Sequence, residues 1–327
     1  MILVTGAAGY IGSHFVRQFL SAHADEKVLA VDDLSSGHRE ALPSSDRVIF
    51  ANESIGNREA MKQLMLAHKV DVVVHFAGSI QVGESEKNPL KYYENNVVNT
   101  IRMFEAMQDA AVSKLVFSST CATYGTPEKL PLTEDHPQKP FSIYGHTKLM
   151  IEEILWSLNR TIGFSFIALR YFNASGADQS MEIGESHDPE THLIPNVLKT
   201  ITGKQECLEL YGTDYDTRDG TCIRDYIHVN DLSTAHVSAV DLLRKQNCAI
   251  GINLGTGYGA TVKEITDLCK EISGKELKIK VFPRRDGDVP VLVADYSCAK
   301  EMLGWSPTYS LKEILESAWK WETNRRF

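Results

Sequence analysis

A tyrosine and a lysine stand four residues apart in Ser142-Ile143-Tyr144-Gly145-His146-Thr147-Lys148. On a helix such positions are neighbours, with Cβ atoms about 5–6 Å apart, so a phenol and an ammonium can pair for acid/base work. A phenol becomes a base near neutral pH only if its pKa of about 10 falls by about 3 units, or roughly 4 kcal/mol. One ammonium about 5 Å away, at an effective dielectric of about 20, supplies roughly 3 kcal/mol. The lysine alone falls short. A second cation and a hydroxyl that donates to the phenolate would complete the shift, and the rest of the chain must bring them.

The helix that carries the pair continues to about Asn159, with a core-facing stripe through Ile151, Ile154, Leu155 and Leu158. Tyr144 and Lys148 lie at the N-terminal end of that stripe. At the start of the chain an apolar run, Met1 to Thr5, ends in Gly6-Ala7-Ala8-Gly9-Tyr10-Ile11-Gly12 and opens a helix through Phe15, Val16, Phe19 and Leu20. Glycines at 6, 9 and 12 let a backbone approach a pyrophosphate, which then rests on the free N–H groups of the helix N-terminus. The next strand, Lys27 to Val31, ends at Asp32. An acid there suits ribose hydroxyls and repels a 2′-phosphate, which favours NAD over NADP.

Further strands read at Arg47–Phe50, Val70–His75 and Lys114–Ser118, each after a helical pattern. Such alternation predicts an α/β fold, a Rossmann-type doubly wound parallel sheet covered on both faces. Ligands in these sheets bind beyond the carboxyl ends of the strands. Phe76-Ala77-Gly78, Ser118-Ser119-Thr120 and Arg170-Tyr171-Phe172-Asn173 fall at those ends, so Thr120 is expected on the same rim as the cofactor. Residues 174–192 form a long Gly/Ser/Asp/Glu-rich loop, and loops of that length are usually functional. The expected division is a dinucleotide-binding domain over 1–173, with a returning segment near 224–255, and a smaller α/β substrate domain over the rest of 174–327.

The bulk numbers set limits. Of 327 residues, 43% are hydrophobic and 24% charged, as in an ordinary globular protein, and the net charge of −9 argues against nucleic acid or an anionic membrane as main partner. The six cysteines show neither a C-x-x-C pair nor metal-ligand spacing with histidine, so they read as reduced thiols and no metal is expected. A strand beginning at Ile2 leaves no room for a signal peptide, and no apolar run reaches the roughly 20 residues of a membrane span. A cytoplasmic location is expected.

Taken together, the glycine turn, Ser118-Ser119-Thr120 and Tyr144-x-x-x-Lys148 resemble the extended short-chain dehydrogenase/reductases over the whole chain. Within them the likeness is to the UDP-glucose (UDP-galactose) 4-epimerase branch. It is carried by Asp71–Ser85, Tyr92–Asn96, Leu169–Asn173, Gly220–Val229, Asn253–Gly257 and Pro283–Asp288. The resemblance implies NAD held and regenerated in each turnover, with C4 of a UDP-hexose inverted through a transient 4-keto sugar. It assigns Tyr144 as base, Lys148 as its electrostatic partner and Thr120 as a bridging hydroxyl. Gly6, Gly9, Tyr10, Ile11, Gly12, Asp32, Ser36, Phe76, Ala77, Gly78, Asn95 and Phe172 fall at cofactor positions. Asn173, Leu193, Tyr211, Arg224, Arg285 and Leu292 fall at positions that hold the UDP-sugar, the two arginines gripping the diphosphate by charge-assisted bonds.

Rival readings have their own signatures. A nucleotide-sugar 4,6-dehydratase needs an acid beside the threonine, and here Cys121 and Ala122 follow Thr120. A non-catalytic NAD-binding regulator would be expected to lose the tyrosine or the lysine. Three departures from the epimerase pattern bear on the sugar. Ile80 replaces a lysine, Glu53-Ser54-Ile55 replaces Gly-Asp-Ile at the adenine edge, and Leu292 takes a gate position that is tyrosine or a small residue elsewhere. Leucine leaves partial room for a 2-acetamido group, so UDP-N-acetylglucosamine is an alternative substrate, with a UDP-pentose or UDP-uronate as further alternatives. His75 reads as structural and His146 as a surface residue. Leu149 and Trp156, with Met103, Met107 and Ala110 on the helix from about Pro89 to Asp109, suggest second apolar faces that pair two copies into a homodimer.

Overall fold

The computed structural model describes residues 1–285 and 287–327. Asp286, within the Pro283–Asp288 stretch, lies outside the described residues. In chain order the elements are Ile2–Thr5 (β1), Tyr10–Ala22 (α1), Val28–Asp32 (β2), Val48–Asn52 (β3), Arg58–Ala67 (α2), Val72–His75 (β4), Val82–Lys87 (α3), Pro89–Tyr92 (α4), Asn99–Asp109 (α5), Lys114–Thr120 (β5) and Ile143–Ile162 (α6). Then come Ser165–Tyr171 (β6), Asn173–Ser175 (β7), Leu193–Ile201 (α7), Leu208–Tyr211 (β8), Ile223–His228 (β9), Val229–Lys245 (α8) and Ala249–Leu254 (β10). Gly259–Thr261 (β11), Val262–Ser273 (α9), Ile279–Phe282 (β12), Val291–Leu292 (β13), Ser297–Leu303 (α10) and Leu311–Thr323 (α11) complete the chain.

Seven parallel strands in the order β10-β6-β5-β4-β1-β2-β3 make the main sheet. Alternation along β1 shows how it is covered. Ile2 and Val4 join Phe15, Val16 and Phe19 of α1 and Leu232, Ala235 and Val240 of α8 on one face. Leu3 joins Met61 and Met65 of α2, Met103 and Met107 of α5, and Ile151 and Leu155 of α6 on the other. Each such side chain removed from water contributes about 1.5–3 kcal/mol, which holds both helical layers to the sheet. The strand order reverses between β1 and β4, where doubly wound sheets bind their ligands.

Two expectations change here. Met103 and Met107 are fully buried in the sheet-facing core, so α5 offers no second apolar face at those positions. Its apparent stripe was misphased because Tyr93–Val98, just before it, is π-helical and not α-helical, and that wider turn rotates the face of α5. The returning segment is also shorter than expected. β9 pairs with β7, β11 and β13 in a separate four-stranded sheet, and the chain re-enters the main layer only with α8 and β10. A third cluster, Ile194, Val197 and Leu198 of α7 with Ile265 of α9 and Ile314 and Leu315 of α11, forms the core under the smaller part. Among the described residues no helix is long and apolar enough to cross a membrane.

Candidate active site

The first turn of α6 is held from three sides. Ser142 Oγ accepts from Gly145 N–H at 3.0 Å, Ser85 Oγ from Tyr144 N–H at 3.1 Å, and Glu86 Oε1 from Ile143 N–H at 2.8 Å. Helix N-termini leave such donors without partners, so these acceptors fix where Tyr144 starts. Thr147 donates to Tyr144 O at 2.8 Å and accepts from Asn96 Nδ2 at 3.1 Å. Asn96 also accepts from Ser79 N–H at 2.8 Å and donates to Ser79 O at 3.0 Å. The π-helical turn thus ties α6 to the end of β4. Ser85, Glu86, Asn96 and Thr147 are positioning residues that motif reading missed. Ser85 and Asn96 lay within the resembling stretches and Thr147 within the Tyr144-x-x-x-Lys148 motif, whereas nothing in the sequence marked Glu86.

Lys148 is buried, donates from Nζ to Ser118 O at 2.9 Å, and lies 6.0 Å from the Tyr144 ring centre. A Cβ on Gly78 would sit 3.7 Å from that Nζ. Thr120 ends β5, and its Oγ1 accepts from Ala122 N–H at 3.1 Å, which leaves the hydroxyl hydrogen for Tyr144. The electrostatics change the size of the expected shift but not the need for a second cation. Burial pushes the Tyr144 phenol up to about 12, against the pull of Thr120, and burial pushes Lys148 down to about 8. Desolvation disfavours both charged forms, so without a further cation the protein alone does not make Tyr144 a base.

Between β1 and α1 the glycine turn shows which glycine does what. Gly6 has φ +63°, and a Cβ there would meet Ala77 N at 2.6 Å; one on Gly12 would meet Gly6 O at 2.1 Å. These two glycines let the chain pack on itself and on Phe76-Ala77. Gly9 caps α1 with no side-chain acceptor, so the first-turn N–H groups remain for an anion. Tyr10 donates from its hydroxyl to Gly176 O at 2.6 Å, and Ile11 packs on the core. Asp32 accepts from Ala8 N–H and Leu34 N–H, each at 2.9 Å. Burial raises its carboxyl pKa and those two N–H groups pull it back. Ser36 lines a small cleft with Gly9, Tyr10, His38 and His187. Phe76 packs on Phe15 and His236, and Asn95 donates to Ser79 Oγ at 2.9 Å. His75 is structural, held between Thr5 and Thr100 in the core, with burial lowering its pKa to about 3. His146 is exposed.

The other wall comes from the smaller sheet. Asn173 donates to Asp225 O at 2.9 Å. Leu292 pairs with Arg224 across β13 and β9 and packs beside Phe172, Tyr124 and Leu132. Arg224 contacts Asp288 at 3.3 Å, and its charge lowers the pKa of Cys121, the residue after Thr120, although burial raises that thiol to about 12 overall. Arg285 lies over the Tyr211 ring at 3.8 Å, and Leu193 begins α7. Thr120, Tyr144, Lys148 and Gly78 therefore come together, Arg224 and Leu292 stand as a pair, and Arg285 and Tyr211 form a second pair. Glu53 turns its carboxylate onto Ser54 N–H at 2.9 Å, and Ile80 is exposed.

This geometry has counterparts. Residues 3–318 match the family model described as GDP-mannose 4,6 dehydratase. The UDP-glucose 4-epimerase of Rhizobium meliloti (strain 1021) is 45% identical, the match covering 99% of this chain and 97% of that one. The chain belongs to the UDP-glucose 4-epimerase family. The crystal structure of the UDP-glucose 4-epimerase from Brucella ovis in complex with NAD superposes with a TM-score of 0.93 at 43% identity, covering 97% of each chain. The UDP-Glc/GlcNAc 4-epimerase of Campylobacter jejuni gives 0.86 at 41% identity, covering 99% of each. The dehydratase model and the epimerases share one fold, and on this chain Cys121 and Ala122 stand where dehydration would need a carboxylate.

Proposed function

We propose that the protein is an NAD-dependent 4-epimerase of UDP-hexoses, interconverting UDP-galactose and UDP-glucose through a transient 4-keto sugar. The observation that carries this reading is that Tyr144, Lys148 and Thr120 share one sheet edge with the glycine turn and lie across from Arg224. The cofactor side fits NAD. The free N–H groups at the start of α1 suit a pyrophosphate, and Asp32 keeps a lone pair on each oxygen for a ribose hydroxyl. Gly6, Gly9, Tyr10, Ile11, Gly12, Asp32, Ser36, Phe76, Ala77, Gly78, Asn95 and Phe172 would hold it. When bound, NAD supplies a hydride acceptor and donor at C4 and, oxidised, the positive charge that the site otherwise lacks.

Tyr144 takes the proton of the 4-hydroxyl and later returns it. Thr120 donates to the phenolate oxygen and steadies the sugar oxygen beside it. Lys148 holds the phenolate by charge, and the Ser118 carbonyl keeps its Nζ in place. Arg224 and Arg285 leave Asp288 and the Tyr211 face to grip the diphosphate, so that the hexose can turn while its handle stays fixed. Asn173 and Leu193 complete that side, with Leu292 at the sugar. Labour is divided accordingly: residues 1–173 with α8 and β10 carry the cofactor, and the remainder carries the nucleotide sugar.

The test is release of NAD on denaturation together with a UDP-galactose to UDP-glucose assay on wild type and Tyr144→Phe. The variant should keep NAD and lose activity by about 10²–10⁴-fold. Normal turnover by it would end the assignment of the base. A second substrate class, UDP-N-acetylhexosamine, is favoured by Leu292, which is shorter than tyrosine and sits at the edge of an apolar wall. A rate ratio beyond a thousandfold in favour of UDP-glucose would exclude it. We also propose that the protein is a homodimer of the cytoplasm. The α6 face with exposed Trp156 and a groove lined by Met150, Ile154 and Leu158 supports that assembly. Sedimentation as a monomer at micromolar concentration would contradict it.

A further inference from the structure

One cluster of side chains takes no part in the epimerase reaction. Glu185, His187, Glu190 and His192 each offer a donor atom, and the four donors lie within 4.8 Å of one another. Glu185 Oε1 is 3.2 Å from His187 Nδ1 and 2.8 Å from His192 Nδ1. Glu190 Oε1 is 2.9 Å from His192 Nδ1, and its Oε2 is 3.6 Å from His187 Nδ1. A tetrahedral zinc ion bound at about 2.0–2.1 Å by nitrogen and oxygen spaces its ligands about 3.3 Å apart. These contacts straddle that value while the donor set as a whole spans up to 4.8 Å, so the outer donors must draw in to close a tetrahedron around an ion.

Ion pairing alone leaves the cluster incomplete. His192 can hydrogen-bond to Glu190 Oε1. By contrast, among the described residues His187 Nδ1 and Glu190 Oε2 are buried without a well-formed hydrogen bond and keep only ion-pair contacts, and the Glu190 side chain is only 1% exposed. A buried carboxylate oxygen and a buried ring nitrogen left facing each other are expensive unless something satisfies both. A cation does, because it uses their lone pairs and needs no hydrogen. Two imidazoles with two carboxylates suit a zinc-type ion better than magnesium or calcium, which take oxygen sets. His192 is 42% exposed at its side chain and gives the ion a way in from solvent.

The surroundings say what such an ion would hold. Glu185 O accepts from Trp321 Nε1 at 2.9 Å, Pro189 O accepts from Gln81 Nε2 at 3.0 Å, and the Tyr10 ring meets His187 edge-on at 6.2 Å. His192 is the N-cap residue of α7, which Leu193 begins. We infer that Glu185, His187, Glu190 and His192 form a site for one zinc-type divalent cation that clamps the 185–192 loop between the N-termini of α1 and α7. The cluster borders both sides, His187 lining the cleft with Gly9, Tyr10 and Ser36 and His192 capping the sugar-side helix.

Cobalt(II) is the probe, added to full-length protein that carries its NAD and has been dialysed against a chelator. The expected result is one cobalt per chain with the intense visible bands of tetrahedral coordination, displaced by zinc. His187→Gln and Glu190→Gln should each weaken binding at least about a hundredfold, since disturbing even the outer shell of a metal site costs 10–100-fold. His146→Gln, at an exposed position on α6, should leave it unchanged. Absence of a saturable site in the wild type overturns the inference, whether or not the variants fold. Binding that survives both substitutions overturns it as well. Metal binding is read without turnover, so its failure and the failure of the epimerase reading are separate results.

Discussion

Replacing Lys148 with methionine should make the cofactor-free protein more stable while abolishing turnover. Lys148 is buried, and its only polar partner among the described residues is Ser118 O at 2.9 Å. The fall of its pKa from 10.5 to about 8 means that keeping it charged costs about 3 kcal/mol, at about 1.4 kcal/mol per unit. Methionine fills nearly the same volume and removes that cost, but it strands the Ser118 carbonyl, which gives back about 1–2 kcal/mol. The net gain at pH 7 is about 1–2 kcal/mol. With an unfolding entropy of about 2.1 cal/mol/K per residue, that raises Tm by about 2–3 °C. The advantage must depend on pH. Below pH 8 both folded and unfolded lysine are protonated and the penalty is full. Between about 8 and 10.5 the unfolded chain holds a proton that the folded protein has lost, so the wild type gains stability as pH rises. The curves should therefore cross at about pH 9–10, and at pH 10.5 the variant should be the less stable by the roughly 1–2 kcal/mol of the stranded carbonyl. Urea or thermal unfolding of NAD-free wild type and Lys148→Met across pH 7–10.5 measures this. A variant less stable than wild type at pH 7, or an advantage that ignores pH, would refute the burial argument.

Gly12→Ala should purify without NAD and fail to bind it in a fluorescence titration, because its Cβ would lie 2.1 Å from Gly6 O and the turn must open. His14, His75, His228 and His236 are all kept neutral by burial, His75 at about 3 and the other three at about 4. The unfolded chain takes up these protons below about pH 6.5, so stability should fall as pH drops from 6.5 towards 4. His236→Leu should remove about 2 kcal/mol of the loss at pH 5, read as a shallower slope in unfolding free energy against pH. Glu152→Gln should destabilise the fold by about 3–5 kcal/mol in urea unfolding, since it strands Arg170, which is paired with Glu152 at 2.6 Å inside the protein.

The strand, turn and helix over residues 2–22 were legible because their signals are local. Period-two burial, glycine spacing and a helical stripe are all written in consecutive residues. The neighbourhood of Tyr144 and Lys148 comes from helical pitch in the same way. The resembling stretches indicated which side chains to look for, but Ser85, Glu86, Asn96 and Thr147 act through contacts between elements and carry no spacing signal of their own. Periodicity failed at Met103 and Met107, because a π-helical turn upstream shifted the phase that an ideal helix would keep. It also mislaid β9, because partner choice between sheets is made by surfaces far apart in sequence.

By itself the sequence determined the parallel α/β architecture, the glycine turn between the first strand and helix, and the helical neighbourhood of Tyr144 and Lys148. Only the tertiary structure decided in which direction burial moves the two groups, which glycines face the chain rather than a ligand, and that Glu185, His187, Glu190 and His192 converge. Desolvation depends on how much water is excluded by elements that the fold brings together, and the four loop residues, although close in sequence, are turned towards one another by a loop pinned to Gln81 and Trp321 far away in the chain. A pattern of neighbouring residues holds no record of that.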